Sequence, residues 1–341
     1  MICCAMSPKV SVIVPVYNAA AYLPHCLDTL TCQTLKELEI ILVLDCPTDG
    51  SEKIAEDYAA RFPQIRLLYN EKNLHAGESR NRGLDVATGE YIGFVDADDF
   101  VEARMFEDMY LTAKERNADV VLTDRQTCSP GEEPAVTLKD RAALQVQGGE
   151  EFLRSQLLAM VEGQFGLALS WLYTHLYRRE FLQRHGLRLA DSRGMMSEDL
   201  LFNVQVYRIL LDEGGKWVYL PQAYYHYVVY EGSLCHSPGF YTFAMTVPLV
   251  DSLAFEMCKC TTLPFKEVEE ALGMRMVRNF YGAWCKEVRL YGVWRACKDL
   301  VAACRVGLVR ETLKNVRLWR RRDLSLRKRV FAVWIWIITL R

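Results

Sequence analysis

The stretch Gly89-Glu90-Tyr91-Ile92-Gly93-Phe94-Val95-Asp96-Ala97-Asp98-Asp99 decides the fold assignment of this chain. Its apolar part, from Tyr91 to Val95, has the length and the β-branched and aromatic content of a parallel strand covered on both faces. Three carboxylates follow within four residues. Because open α/β sheets bind ligands at the carboxyl ends of their strands, Asp96, Asp98 and Asp99 are predicted to project into a site.

This acidic strand end has two interpretations. Carboxylate oxygens in the D-x-D spacing suit Mn²⁺ or Mg²⁺, and these ions commonly share their coordination with substrate phosphates, so that a nucleotide diphosphate is the natural partner. Alternatively, Asp98 or Asp99 caps a helix that begins near Glu102. The rest of the sequence has to decide between the metal site and the cap.

The first 125 residues alternate between strand-like and helix-like segments with short connections. The predicted strands are Val10 to Val16, Glu39 to Leu44, Ile65 to Tyr69, Tyr91 to Val95 and Asp119 to Thr123. The predicted helices are Ala20 to Thr31, Ser51 to Arg61, Gly77 to Ala87 and Ala103 to Asn117. This alternation predicts an α/β fold with a doubly wound, mostly parallel sheet, and a largely helical section follows from about Gly239.

Composition sets broad limits on the class of protein. With 341 residues, of which 51% are hydrophobic and 25% charged, the chain can bury a large core and form one large domain plus a smaller one. Its 12 cysteines are scattered without a CxxC pair, and residues 1–9 contain no hydrophobic signal core. We therefore expect reduced thiols in a cytoplasm.

Five motifs occur in an order that resembles the inverting family 2 glycosyltransferases of the GT-A fold. They are Val12 to Asn18, Asp45 to Ser51, Asn73 to Gly83, Gly89 to Asp99 and Ser197 to Asp199. Five motifs in sequence are far less expected by chance than any one of them. The resemblance implies a GT-A catalytic domain over residues 1–235, before a helical region at 236–316 and a basic, Trp-rich tail at 317–341.

The resemblance also implies roles on the donor side. The residues it assigns to donor binding are Pro15, Val16, Tyr17, Asp45, Arg80, Asp96 and Ala97. Tyr17 would face the nucleobase and Asp45 would bond to its edge, while Arg80 would offset diphosphate charge or brace Asp98. Asp96 and Asp98 would hold Mn²⁺ or Mg²⁺, and Asp99 is a weaker candidate for that role.

The sequence departs from the family pattern in two places. Leu44 stands where a second acid is usual, and Cys46-Pro47 replaces the usual Gly-Ser. Leu44 is expected to point into the core, which leaves Asp45 as the one acid that can bond the base. The identity of the base therefore stays open.

Inversion by direct displacement requires a base that takes the proton of the attacking acceptor hydroxyl. By resemblance, Asp199 is this general base, Glu198 is a structural or acceptor-binding neighbour, and Trp171 belongs to the acceptor-side segment. Ser197-Glu198-Asp199 is also a good helix-capping sequence, and both interpretations can hold together.

Three histidines invite further roles. His175 stands where lysine is usual, so it either contacts the acceptor or is a structural histidine inside the fold. His226 and His236 are alternatives for a third metal ligand. Neither enters the predicted core of the site.

The C-terminal segment carries its own signal. Residues 317–341 contain eight Lys/Arg and one acid, which gives the segment a charge of +7 against −9 for the rest of the chain. The apolar run Val330 to Leu340 includes two tryptophans and is too short to span a bilayer. We expect a helix lying on an anionic membrane surface; the alternatives are a docking helix or a dimer contact. No nucleic-acid motif accompanies the basic run.

Together these features predict a metal-dependent inverting glycosyltransferase on the cytoplasmic face of a bacterial membrane. It would move a sugar from a nucleotide donor, a UDP-hexose or UDP-N-acetylhexosamine, to a hydroxyl of a glycan or polyprenyl-linked acceptor in surface polysaccharide biosynthesis. A noncatalytic glycan-binding scaffold is the alternative from another class. A nucleotidyltransferase is less favoured, because Pro15 to Ala21 contains no glycine for a phosphate loop.

Overall fold

The computed structural model describes residues 7–132, 136, 138–141, 144, 148–164, 168–230, 241–321 and 323–340. Contacts divide the chain into two compact units. One comprises residues 1–149, 167–190 and 215–230, and the other residues 150–166, 191–214 and 231–341. The predicted boundary at residues 235 and 236 and the candidate ligand His236 lie outside the described residues.

The described strands all belong to the first unit. They are β1 (Val10–Val16), β2 (Leu38–Leu44), β3 (Ile65–Tyr69), β4 (Tyr91–Phe94), β5 (Phe100–Val101), β6 (Val120–Cys128), β7 (His175–Arg178) and β8 (Trp217–Val228). They form one sheet in the order β3-β2-β1-β4-β7-β6-β8-β5.

The helices divide between the units. In chain order they are α1 (Leu23–Thr31), α2 (Ser51–Arg61), α3 (His75–Val86), α4 (Met105–Arg116), α5 (Glu150–Glu162), α6 (Arg179–Arg184), α7 (Glu198–Glu213), α8 (Phe243–Met257), α9 (Phe265–Tyr291), α10 (Val293–Ala303), α11 (Gly307–Asn315) and α12 (Leu326–Leu340). The first unit contains α1 to α4 and α6, and the remaining helices form the second unit.

The predicted α/β architecture is confirmed, with one change in the sheet. β3, β2, β1 and β4 pair in parallel as predicted. The fifth predicted strand, β6, is not next to β4, because β7 lies between them and pairs antiparallel with both. The sheet is therefore mixed. β5 and β7 have only two and four residues, which is too short for a periodic sequence signal.

The order of the first four strands creates the edge at which a ligand can bind. β1 lies between β2 and β4 and runs parallel to both, so the chain winds outward on one side of β1 and then returns to its other side. Such a reversal is the switch point where open α/β sheets leave a crevice at their carboxyl ends. The residues that follow these three strands, including Tyr17, Asp45 and Asp96, lie along this one edge.

Gly89 lets the chain approach β1 closely just before it enters β4. A Cβ atom at Gly89 would lie 2.5 Å from the backbone nitrogen of Ser11. The Gly89 backbone N–H also donates a hydrogen bond of 2.8 Å to the Ser11 hydroxyl. Because the obstructing atom belongs to the backbone of a buried strand, only glycine fits here.

In the second unit, the tail helix α12 packs along α9. Phe331 contacts Tyr281 at 5.4 Å between ring centroids, and Trp334 contacts Trp284 at 5.9 Å. Trp336 donates from Nε1 to the carbonyl of Lys314 at 3.3 Å. The tail is thus a docking helix, one of the predicted alternatives. Within the described ranges, no helix combines the length and the hydropathy needed to cross a bilayer.

We expect Gly89→Ala to lower the free energy of unfolding by about 1–3 kcal/mol, because the added methyl group has to displace the Ser11 backbone. Gly194→Ala is the matched control, since nothing lies within 4 Å of a Cβ at that position. Thermal unfolding followed by circular dichroism measures both. Equal melting temperatures for the two variants would contradict the close approach of Gly89 to β1.

Candidate functional site

The acidic residues after β4, Asp96 to Asp99, form a tight turn, which we call the acidic turn. The backbone N–H of Asp99 donates to the carbonyl of Asp96 at 3.1 Å, which is the hydrogen bond of a β-turn. The alternative of a helix cap does not hold, since α4 begins only at Met105 with Arg104 at its N-cap position. The side chains of Asp98 and Asp99 bond elsewhere.

Asp99 fastens this acidic turn to β8. Its Oδ2 accepts a hydrogen bond of 2.6 Å from the Tyr225 hydroxyl, and its Oδ1 accepts one of 2.7 Å from the backbone N–H of Val228. The Tyr225 oxygen in turn accepts from the backbone N–H of Asp96 at 3.1 Å. Asp99 is 2% exposed, so its carboxylate is committed to structure.

Asp96 and Asp98 have partners of a different kind. Oδ1 of Asp96 lies 2.6 Å from Nη2 of Arg80, which projects from α3. Oδ2 of Asp98 accepts a hydrogen bond of 3.0 Å from the Tyr230 hydroxyl. Arg80 therefore pairs with Asp96. Its predicted bracing of Asp98 remains a prediction, and its positive charge offsets part of the rise in the pKa of Asp98. Both carboxylates stay half-buried, beside the crevice of the sheet.

The electrostatics of the acidic turn are unfavourable without a ligand. Burial, followed by the negative charge of Asp96, raises the pKa of Asp98. Burial and the charges of Asp98 and Asp96 hold the pKa of Asp99 well above its usual range. Raised pKa values mean that the ionised carboxylates repel one another in a poorly hydrated place. A bound cation would relieve this repulsion.

The donor set fits a hard divalent cation that shares its coordination with a ligand. Within the described residues, no group of three or more His, Cys, Asp and Glu side chains is arranged to hold a metal alone. Asp96 and Asp98 supply two carboxylates, and Mg²⁺ and Mn²⁺ are commonly held by one or two carboxylates together with phosphate oxygens and water. The residues present therefore fit a cation that arrives with a diphosphate.

Asp45, after β2, organises the start of the helix that carries Arg80. Its Oδ1 accepts from Asn70 Nδ2 at 2.6 Å and from the Leu74 N–H at 2.7 Å, and its Oδ2 accepts from the His75 N–H at 2.8 Å. Asp45 is 2% exposed in this arrangement. The carboxylate thus joins β2 to α3, and its predicted bond to a nucleobase remains a prediction.

The two departures from the family pattern leave this region intact. Leu44 is fully buried, as expected. Cys46 adopts a left-handed backbone conformation with φ 54°, and its thiol lies 3.2 Å from the carbonyl of Asn70. The turn after β2 is therefore held by Cys46 where the family has a smaller residue.

The end of β1 offers an exposed ring at the same edge. Val16 is buried and Pro15 is half-buried, whereas the side chain of Tyr17 is 53% exposed. Ala97, inside the acidic turn, is 5% exposed. An exposed aromatic ring beside a crevice is suited to stacking on a flat ligand such as a base.

A stack of aromatic rings leads away from the acidic turn to Trp171. Tyr173 packs on Tyr225 at 4.2 Å between ring centroids and lies parallel to Trp171 at 6.4 Å. The guanidinium of Arg125 covers the Trp171 ring at 3.7 Å. The predicted acceptor-side Trp171 thus belongs to the same unit as the acidic turn and is linked to it by stacked rings.

Two histidines have structural partners. His175 is fully buried, with Nδ1 2.7 Å from the carbonyl of Trp171, and burial lowers its pKa to about 3. It is therefore neutral and structural, one of the two predicted roles.

Nε2 of His226 lies 2.8 Å from Glu102, and its ring stacks on Phe100 at 4.3 Å. These contacts favour a structural role for His226 over metal ligation.

Glu198 and Asp199 lie in the second unit, in the first turn of α7. Ser197 precedes them in the left-handed conformation with φ 56°. Oδ1 of Asp199 accepts from the backbone N–H of Leu200 at 2.8 Å. The predicted capping bond from the Ser197 side chain is not seen within the described residues. The role of Asp199 as general base remains a prediction.

Tyr225 and Tyr230 were not predicted as site residues. Their segment, Ala223 to Tyr230, contains four tyrosines among eight residues. On a strand, side chains two apart share a face. Tyr225 bonds to the acidic turn, whereas Tyr224 bonds to Asp108. A strand assignment for Ala223 to Val228 would have placed Tyr225 and Tyr227 on one face and Tyr224 on the other, whereas Tyr230 follows the end of β8.

Comparison with known proteins agrees with the geometry. Residues 11–186 match the sequence profile described as glycosyl transferase family 2. The chain belongs to this family. Four of the five motifs lie in the first unit, which contains the parallel half-sheet and the acidic turn, and Ser197 to Asp199 lies in the second unit.

Individual relatives support the same assignment. EpsJ, an uncharacterized glycosyltransferase of Bacillus subtilis, is 34% identical over 61% of this chain and 60% of its own length. A cholesterol galactosyltransferase of Borreliella burgdorferi is 34% identical over 58% of this chain and 55% of its own length. The matched regions thus span less than two thirds of these relatives.

A solved structure has the same fold. Residues 1–349 of S. aureus TarS, in complex with UDP-GlcNAc, superpose with a TM-score of 0.67 at 22% sequence identity. The superposition covers 97% of this chain and 89% of that chain. At this level of identity the likeness establishes the GT-A fold.

We expect Tyr225→Phe to destabilise the protein by about 1–3 kcal/mol, because it leaves the buried carboxylate of Asp99 short of a donor. Since the acidic turn keeps only the Val228 bond to β8, the variant should also bind a nucleotide-sugar donor more weakly. Thermal unfolding with and without UDP-sugar and Mn²⁺ measures both effects.

The neighbouring Tyr224→Phe is the matched control. Its hydroxyl donates to Asp108 at 2.7 Å, also as a buried Tyr–Asp bond on β8 but away from the acidic turn. This variant should lose stability and keep its response to the donor. Equal donor responses in the two variants would show that Tyr225 does not position the acidic turn.

Proposed function

We propose that this protein is an inverting glycosyltransferase that transfers a hexose or N-acetylhexosamine from a UDP-sugar to a hydroxyl group. The observation that carries the proposal is the acidic turn at the switch point of the sheet, where Asp96 pairs with Arg80 and the pKa of Asp98 is raised. Pairs of acids with perturbed pKa values in a crevice are typical of functional sites.

The donor would be held by residues at the ends of three strands. The Tyr17 ring would stack on the base, with Asp45 at its edge if that carboxylate exchanges one of its present partners for the ligand. Arg80, held beside the turn by Asp96, would offset the charge of the diphosphate. A divalent cation on Asp96 and Asp98 would supply Lewis-acid stabilisation of the departing nucleotide.

The reaction itself requires one proton transfer. The acceptor oxygen would attack the anomeric carbon while the bond from that carbon to the diphosphate oxygen breaks, which inverts the configuration. Asp199 would take the hydroxyl proton at one carboxylate oxygen. This assignment rests on the family resemblance, together with the position of Asp199 in the first turn of α7, where the helix dipole favours its ionised form.

The acceptor we propose is a glycan or polyprenyl-linked glycan made for the cell surface, and the place of action is the cytoplasmic face of the membrane. The family and the basic C-terminal tail support this setting. A relative named as a cholesterol galactosyltransferase is consistent with acceptors held in lipid. Peripheral membrane contact through residues 317–341 is part of the proposal, since Leu326, Val330 and Leu340 are exposed on the docked helix α12.

Donor binding can be tested by a thermal-shift panel of UDP-, GDP-, TDP- and CMP-sugars with Mn²⁺ or Mg²⁺. A ligand at 100 times its dissociation constant stabilises the folded state by about 2.7 kcal/mol. We expect a shift with UDP-sugars that requires the cation, and its loss in Asp98→Asn. Asp57→Asn, an exposed acid on α2, is the control. A shift with GDP-sugars alone would overturn the choice of UDP.

Catalysis can be tested separately from binding. Because a positioned general base contributes about 10²- to 10⁴-fold to the rate, Asp199→Asn should lower donor turnover by that factor and keep the donor-induced thermal shift. Glu213→Gln, at the far end of the same helix, is the control for a lost acid on α7. If the wild-type protein binds donors but turns over none of them, while Asp199→Asn binds equally, the noncatalytic scaffold is favoured.

A further inference from the structure

The turn between α9 and α10 exposes an apolar cluster. α9 ends at Tyr291, Gly292 turns the chain with φ 83°, and α10 begins at Val293. All seven residues from Arg289 to Arg295 are exposed, in the sequence Arg-Leu-Tyr-Gly-Val-Trp-Arg. We call this segment the apolar tip. Its apolar side chains are exposed by 40% at Leu290, 59% at Tyr291, 56% at Val293 and 91% at Trp294.

Trp294 differs from the tryptophans of the tail. The rings of Trp334 and Trp336 pack on Trp284 and Trp319 within the second unit. Trp294 is the most exposed of the large apolar side chains in the described part of the chain. Contiguous exposed apolar side chains mark interaction sites rather than ordinary surface.

The charges around the apolar tip select its partner. The segment 286–299 contains four basic residues and two acids, a net charge of +2 in a chain whose total is −2. One of the acids, Glu287, is 3% exposed and accepts from the Phe243 N–H, and the other, Asp299, is paired with Arg295. The charge that the tip presents to its surroundings is therefore positive.

The composition and shape of the tip fit a lipid surface better than a protein. Trp and Tyr prefer the headgroup level of a bilayer, and arginine side chains there reach lipid phosphates. A turn of seven residues offers far less area than the roughly 800 Å² that each partner buries in a stable protein interface. A second copy of this chain is therefore the less fitting occupant.

The tail also exposes apolar side chains. Near the end of α12, Ile337 is exposed by 44% and Leu340 by 55%.

We propose that the apolar tip, residues 289–295, inserts into the headgroup layer of an anionic lipid bilayer. This inference rests on the proposed membrane setting of the enzyme and names the part of the chain that makes the contact. Trp294 and Tyr291 enter the interface, and Arg289 contacts lipid phosphates beside them. The basic tail contributes long-range attraction to the same surface.

The test is flotation of the full-length protein with vesicles of phosphatidylglycerol and phosphatidylcholine, and with vesicles of phosphatidylcholine alone. The wild-type protein should float with the anionic vesicles at low salt and much less with the neutral ones. The double variant Val293→Glu, Trp294→Glu should partition at least about tenfold more weakly, because it replaces apolar anchors by charges that the anionic surface repels.

Phe265→Glu is the matched control. Phe265 is 64% exposed and opens the same 27-residue helix, about 40 Å from the tip at 1.5 Å per residue. This variant should float like the wild type. Val330→Glu, on the exposed side of α12, measures how much the tail contributes to vesicle binding. Unchanged circular dichroism and an unchanged thermal shift with UDP-sugar show that each variant is folded.

Several results would overturn the inference. If the double variant floats like the wild type while Val330→Glu does not, the tail and not the tip makes the contact. Equal flotation with neutral vesicles would show that the positive charge of the tip does not contribute to binding. If the wild type is a dimer in sedimentation velocity and the double variant is a monomer, the tip is a contact with a second copy of the chain. If the wild type floats with neither vesicle, the tip and the membrane setting both fail, whereas donor binding in the same samples still tests the transferase function.

Discussion

The hydroxyl of Tyr225 is the contact on which the geometry of the site depends. One oxygen atom donates to Asp99 and accepts from the backbone of Asp96, so it joins the first and last residues of the acidic turn to β8. A buried carboxylate is tolerated only when its hydrogen bonds are satisfied, and Val228 supplies the second donor to Asp99. With Asp99 committed to the fold, Asp96 and Asp98 are the acids left to meet a ligand.

This arrangement costs stability in the absence of a ligand. Three acids within four residues raise the pKa of Asp98 and Asp99 through burial and mutual repulsion, and Arg80 offsets part of the charge through Asp96. A fold selected for stability alone would replace one of these acids by a neutral residue. Retaining all of them is understandable if a cation and a diphosphate bind here, because both signs of charge then find partners.

Local signals in the sequence predicted the first half of the sheet well. The bounds of β1, α2 and β3 are those expected, because buried runs and turn residues are read over a few neighbouring positions. The position of the acidic turn at the sheet edge followed from the same rule. The insertion of β7 between β4 and β6 could not be predicted, since it depends on pairing between residues that are far apart in the chain.

The partners of individual side chains depended on the same distant pairing. His226 meets Glu102 and Phe100 only because β8 pairs with β5, where Phe100 lies opposite His226. The sequence alone therefore allowed His226 to be considered as a metal ligand, because the partners that favour a structural role were not visible in it. Tyr225 was overlooked for the same reason, because its distance from Asp99 along the chain is 126 residues.

The C-terminal region shows how a sequence pattern and a surface can differ. A run of Trp and Ile beside basic residues has the composition of a membrane-binding helix, but composition does not reveal whether the rings have partners within the protein. In α12, Phe331 and Trp334 are used for packing on α9. At the other exposed cluster, a single glycine with φ 83° turns the chain and projects Trp294 outward. The two clusters therefore differ in burial. The rings of α12 already have partners and stabilise the second unit. The indole of Trp294 is 91% exposed, so its transfer from water to a lipid surface is favourable.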